Sequence, residues 1–256
     1  MNRFIECCCT DLYECLEAQR GGASRIELCI ELEKGGTTPP LELINEVIAN
    51  VSIPVNILIR HRSGDFIYSE NEIKMMAGQI EQIKNAPAGK KVNGFVIGAL
   101  KKDGSIDTKG VTELIKAIKT PVATLSPADS SPASSNPTDS KLVDSNSVTT
   151  HYQITFHRAF DRAKEPFKAL EEIIELGCDT LLTSGQKESA YIGKELISRL
   201  IESANDRIII MPGCGVRVEN IAEIEKVTKA KVFHSSSHGN NGKTDREIVS
   251  LLVTSK

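Results

Sequence analysis

Apolar residues along this chain alternate between short runs bounded by turn residues and longer segments in which they recur every three or four positions. The short runs predict strands at residues 4–9, 25–29, 55–60, 94–100, 153–156, 180–183, 207–211 and 231–234. Between them the spacing predicts helices, including 41–49, 70–84, 166–176, 188–203, 218–227 and 245–254. Leu170, Ile173, Ile174 and Gly177 show the period of a helix face that lies on a sheet. Gly21-Gly22 and Gly177 stand where a left-handed cap would end a helix before the next strand.

Eight βα units in a chain of 256 residues predict a single (β/α)8 barrel of the TIM type spanning 1–256. A doubly wound sheet fits less well, because no G-x-G-x-x-G follows the first strand. The rhythm breaks at 126–150, where Ser, Pro, Asp, Asn and Thr dominate. This stretch reads as a flexible insertion between the fourth helix and the fifth strand, on the side of the barrel opposite the usual active-site face.

Composition narrows the function classes. A net charge of -3, no dense basic block and no Trp argue against nucleic acid as the main partner. No run approaches the roughly 18 apolar residues of a membrane span. The N-terminus reaches Glu6 and the cysteines without a basic-then-apolar leader, which points to the cytoplasm, with entry to the nucleus by diffusion. Seven cysteines, three of them consecutive, do not form a secreted disulfide pattern and read as reduced thiols.

Chemistry concentrates at the predicted strand ends. Alternate strand residues face one way, so Glu6 shares a side with Cys8, and Glu27 with Cys29. Adjacent strands lie about 4.8 Å apart, close enough for two thiolates to hold a soft ion such as Cu(I) or Zn(II). The other reading of these cysteines is as small buried hydrophobes. Cys7 and Cys9 have the opposite parity and are expected to pack against helices. Arg60, Arg62 and Arg158 suit a carboxylate or phosphate, or else pair with Glu6, Glu27, Asp65 and Asp161 in a structural network. His157 and His234 are candidates for general acid-base work or metal ligation. Gly213, Gly215, Ser235 and Ser236 follow the seventh and eighth strands, where many barrels bind phosphate, although Cys214 between the glycines would narrow a close approach.

The strings Arg25-Ile26-Glu27-Leu28-Cys29, Gly35-Gly36-Thr37-Thr38-Pro39, Gly64-Asp65-Phe66-Ile67-Tyr68-Ser69, Thr155-Phe156-His157-Arg158-Ala159-Phe160-Asp161, Leu182-Thr183-Ser184-Gly185, Met211-Pro212-Gly213 and Phe233-His234-Ser235 together resemble the CutC copper homeostasis family. The resemblance spans nearly the whole chain. It implies a TIM barrel, a cytoplasmic and also nuclear location, a homo-oligomer (dimer or tetramer) and a role in copper handling, with Cys8 and Cys29 at the positions of the family's proposed copper ligands. The chain departs from the family pattern at Cys7, Cys9, Thr10, His61, Ser63 and Cys214, and in the 126–150 insertion.

Two functions therefore stand side by side. In one, Cys8 and Cys29 bind Cu(I) at the rim of the barrel, and the partner is the copper ion. In the other, the barrel is an enzyme acting on a small carboxylated or phosphorylated ligand. There Arg60, Arg62, Asp65, Gly213, Gly215 and Ser235 form an anion site, and Glu27, His157, Arg158, Asp161 and His234 are the catalytic candidates.

Overall fold

The computed structural model describes residues 2–121 and 151–255, so the predicted insertion at 126–150 lies outside the described residues. Eight parallel strands form the (β/α)8 barrel that the pattern predicts: β1 (Phe4–Cys9), β2 (Arg25–Leu28), β3 (Val55–Leu58), β4 (Gly94–Ile97), β5 (Gln153–Phe156), β6 (Thr180–Thr183), β7 (Ile209–Pro212) and β8 (Val232–Ser235). Around them run α1 (Leu12–Arg20), α2 (Leu41–Asn50), α3 (Glu70–Asn85), α4 (Thr108–Lys119), α5 (Pro166–Glu175), α6 (Lys194–Ala204), α7 (Ile221–Thr228) and α8 (Arg246–Thr254). The hydrogen-bonded order is β7-β6-β5-β4-β3-β2-β1-β8, and among the described residues no ladder joins β7 to β8.

Strand parity sorts the side chains into two layers. Outward-facing Ile5, Ile26, Leu28, Ile57, Phe95, Phe156 and Phe233 are fully buried against helix residues such as Leu114, Leu170, Leu200 and Leu252. Each large apolar side chain buried this way contributes about 1.5–3 kcal/mol. Cys7 and Cys9 belong to this outer layer together with Cys15 of α1, as their parity requires. Burial there pushes the Cys7 thiol up to about 12, so it packs as a neutral group. The inward positions are different: Glu6 and Cys8 of β1, Arg25 and Glu27 of β2, and Asn56 of β3 fill space that barrels usually fill with Val, Ile and Leu.

Several elements differ from their predicted limits for local reasons. The third and fourth strands end at Leu58 and Ile97, and within three residues of each end the chain turns its amides to the rim loops. The Arg60 amide donates to Thr38 Oγ1 at 2.8 Å, and the Leu100 amide to the Phe66 carbonyl at 2.8 Å. Helix α6 starts at Lys194, later than the pattern predicts, because the chain first folds back on itself. The backbones of Gly193 and Ser184 touch so closely that a Cβ on Gly193 would lie 2.0 Å from the Ser184 carbonyl oxygen. Four helix starts are capped by side chains: Asp11, Asp107 and Asp245 accept first-turn amides of α1, α4 and α8, and Ser69-Glu72 closes a capping box on α3.

Candidate functional site

Three neighbouring strands set the floor of the site. Glu6 lies opposite Arg25 of β2 and His234 of β8 in register, and its carboxylate bridges both side chains. Arg25 Nε donates to Glu6 Oε2 at 2.5 Å, His234 Nδ1 lies 2.9 Å from Glu6 Oε1, and Asn56 Nδ2 donates to Oε2 at 3.3 Å. Burial alone would raise the Glu6 carboxyl, but the Arg25 charge and the His234 contact outweigh it and hold the group below its ordinary value. Burial pulls the other way on His234. The charges of Glu27 and Glu6 overcome it and leave the imidazole above its ordinary value.

One layer higher, the two thiols meet. Cys8 Sγ lies 3.4 Å from Cys29 Sγ and 3.7 Å from Glu27 Oε1, and both cysteines are buried with Leu58 and Val96. The hydrogen bond to Cys29 and burial place the Cys8 thiol well above its ordinary value, so it is protonated at neutral pH. Burial, reinforced by the Glu6 charge and opposed by His234, pushes the Glu27 carboxyl up to about 7. Glu27 Oε2 is buried and has no hydrogen-bond partner among the described residues. The ligating atoms of Cys8, Glu27 and His234 all lie within 4.8 Å of one another. Two soft sulfurs, a borderline imidazole and an orphaned carboxylate oxygen are a donor set that fits a thiophilic ion.

Around this centre the strand ends open into a cavity of about 1450 Å³, whose wall includes Cys8, Glu27, Cys29, Arg60, His157, Arg158, Asp161, His234, Gly215 and Ser235. His157 is enclosed in it. Its Nδ1 accepts the Ala159 amide at 3.2 Å, its ring packs on Phe66 at 5.0 Å, and burial with the nearby Arg60 charge pushes it down to about 3. Gly98 makes room for that ring, since a Cβ there would lie 2.6 Å from the imidazole.

Other sequence candidates lie elsewhere or are already engaged. Arg62 and Asp65 are absent from the cavity wall; Arg62 pairs with Asp65 at 2.9 Å and with Glu72 at 2.6 Å, and so fastens the loop after β3 to α3. Arg158 pairs with Asp161 at 2.8 Å. Asp161 also accepts from Thr183 Oγ1, the Ser184 amide and hydroxyl, and the Gln186 amide, an arrangement that locks two loops together. Gly213 is a packing position, because a Cβ there would lie 2.4 Å from Leu182 Cδ1. The Cys214 thiol turns aside to donate to the Glu188 carbonyl, so it does not block the loop at Gly215. Ser235 Oγ is occupied between the Val216 carbonyl and the Ser237 amide.

The structure also shows residues that local pattern did not single out. Arg25 is the cation that balances Glu6, and Phe66 and Arg162 line the cavity beside Arg60 and His157. Arg25 has the parity of Glu27, which was the available signal. No helix among the described residues is long and apolar enough to cross a membrane.

Comparison with known proteins agrees with this architecture. A CutC protein from Parabacteroides distasonis is 44% identical over 238 residues, covering 93% of this chain and 84% of the relative. A human protein named copper homeostasis protein cutC homolog is 38% identical, covering 91% of this chain and 72% of its own length. The crystal structure of CutC from Streptococcus agalactiae superimposes with a TM-score of 0.72 at 26% identity, over 91% of this chain and 98% of that one. The phosphoribosylanthranilate isomerase of Thermotoga maritima, at 13% identity and a TM-score of 0.55, shares the barrel fold. With the CutC family model matching residues 3–132 and 137–239, the chain belongs to the CutC family.

Proposed function

We propose that the protein serves copper homeostasis by binding Cu(I) through the thiolates of Cys8 and Cys29, with Glu27 and His234 beside them. The observation that carries this reading is the 3.4 Å contact between two buried sulfurs at the base of an open cavity. Thiolates select soft ions, and ligation requires that the thiol protons leave. Glu27 stands 3.7 Å from Cys8 and takes part in the same proton balance. The family's connection with copper supports the choice of ion over zinc.

The test is an anaerobic Cu(I) titration against a competing chelator, run on the native protein and on the Cys8→Ser, Cys29→Ser double variant. The expected result is one tightly held copper per chain that the double variant loses. Unchanged stoichiometry and affinity in that variant would reject the site.

A further inference from the structure

Three guanidinium groups of the cavity wall, those of Arg60, Arg162 and Arg217, have no carboxylate partner among the described residues, and two of them, Arg60 and Arg162, converge on one loop. Arg60, 3% exposed, donates only to backbone carbonyls: Nη1 to Gly36 at 2.8 Å and Lys34 at 3.2 Å, and Nη2 to Gly64 at 3.0 Å. Its Nε is buried without a hydrogen-bond partner among the described residues. Arg162, exposed on the loop after β5, reaches the same Gly64 carbonyl with Nη1 at 3.3 Å. Both cations lie over the Phe66 ring, at 4.7 and 5.1 Å from its centre. Among the described residues neither has a carboxylate oxygen within 4.0 Å. Acids are not scarce nearby, since Arg62 is paired with Asp65 and Glu72, and Arg158 with Asp161.

Two like charges gathered on one carbonyl and one ring, one of them desolvated, are unfavourable unless an anion joins them. His157 adds a neutral donor beside them. Because its Nδ1 accepts the Ala159 amide, its proton sits on Nε2, which is buried and has no acceptor among the described residues. Unmet buried donors of this kind are rare and ask for a partner. The cavity is also far larger than an ion requires, since pockets for small organic ligands are about 300–1,000 Å³. A short turn links the cations to the thiols. Gly35 passes Arg60 so closely that a Cβ would lie 3.2 Å from Nη1, and a Cβ on the next residue, Gly36, would lie 3.6 Å from Cys29 Sγ.

We propose that Arg60, Arg162 and the Nε2–H of His157 form a subsite for the oxyanion group, carboxylate or phosphate, of a small organic ligand whose body extends through the cavity toward Cys29. The inference is independent of copper binding. Paired guanidinium forks and a neutral imidazole donor match the planar or tetrahedral oxygens of such a group.

The experiment is calorimetric titration of the metal-free, reduced protein with inorganic phosphate and, separately, with succinate, so that the two arms distinguish the oxyanions. Saturable one-to-one binding of at least one of them is expected, weakened about tenfold or more by R162Q, whose exposed position leaves the fold intact. Binding should persist in R207Q, which removes an exposed arginine paired with Glu171 away from the cavity wall. Failure of both anions to bind saturably, equal affinity in R162Q, or equal weakening in R207Q would overturn the proposal.

Discussion

Glu6 Oε1 and His234 Nδ1 meet at 2.9 Å and tie β1 to β8 beneath the thiol pair. The contact commits Nδ1 of the imidazole, so Nε2 is the nitrogen left for a metal, as is common where a carboxylate orients a ligating histidine. The same carboxylate neutralises Arg25 at 2.5 Å.

Glu6→Gln should therefore act twice. It leaves the Arg25 guanidinium buried without a counter-charge, which costs about 3–5 kcal/mol of stability in urea unfolding at pH 7. It also removes one of the two carboxylates that raise His234, so the imidazole resonances should titrate at lower pH than in the native protein.

Acid should weaken the fold through His157. Its imidazole lies at about 3 in the folded state against an ordinary value of 6.5. Unfolded chains therefore bind the proton first, and stability falls as pH drops from 6.5 toward 3. Between pH 7 and pH 5 this one group removes about 2 kcal/mol. Unfolding curves at the two pH values for the native protein and His157→Gln should differ by that amount.

Copper uptake should release protons. Cys8 is protonated at neutral pH and its sulfur is already hydrogen-bonded to Cys29. Calorimetry of Cu(I) binding at pH 7 in two buffers of different ionisation enthalpy should show at least one proton released per copper.

Gly98→Ala places a methyl where the His157 ring lies, with 2.6 Å between them. Overpacking of this kind costs about 1–3 kcal/mol. The variant should unfold at lower urea concentration and show a displaced His157 ring resonance.

Much of the centre was legible because a strand has a period of two. Parity alone put Glu6 with Cys8 and Glu27 with Cys29, and sent Cys7 and Cys9 to the outer layer. The role of Arg25 depends on the register Glu6↔Arg25 between two strands, which parity along one strand does not encode. The fate of the arginines was equally hidden. Arg62 and Arg158 each found an acid three residues away, whereas Arg162 crosses from the loop after β5 to share with Arg60 the Gly64 carbonyl and the Phe66 ring of the loop after β3. Only the folded chain shows which cations are left unpaired.

The missing ladder between β7 and β8 gives the barrel a seam, and His234 stands on one of its lips. Among the described residues no hydrogen bond joins the β8 amides to β7 across the seam. Deuterium should enter there faster than in β1 or β2, and a bound ion that tethers His234 to Cys8 would slow it. The seam thus makes the eighth strand a natural reporter of occupancy, readable by exchange alone.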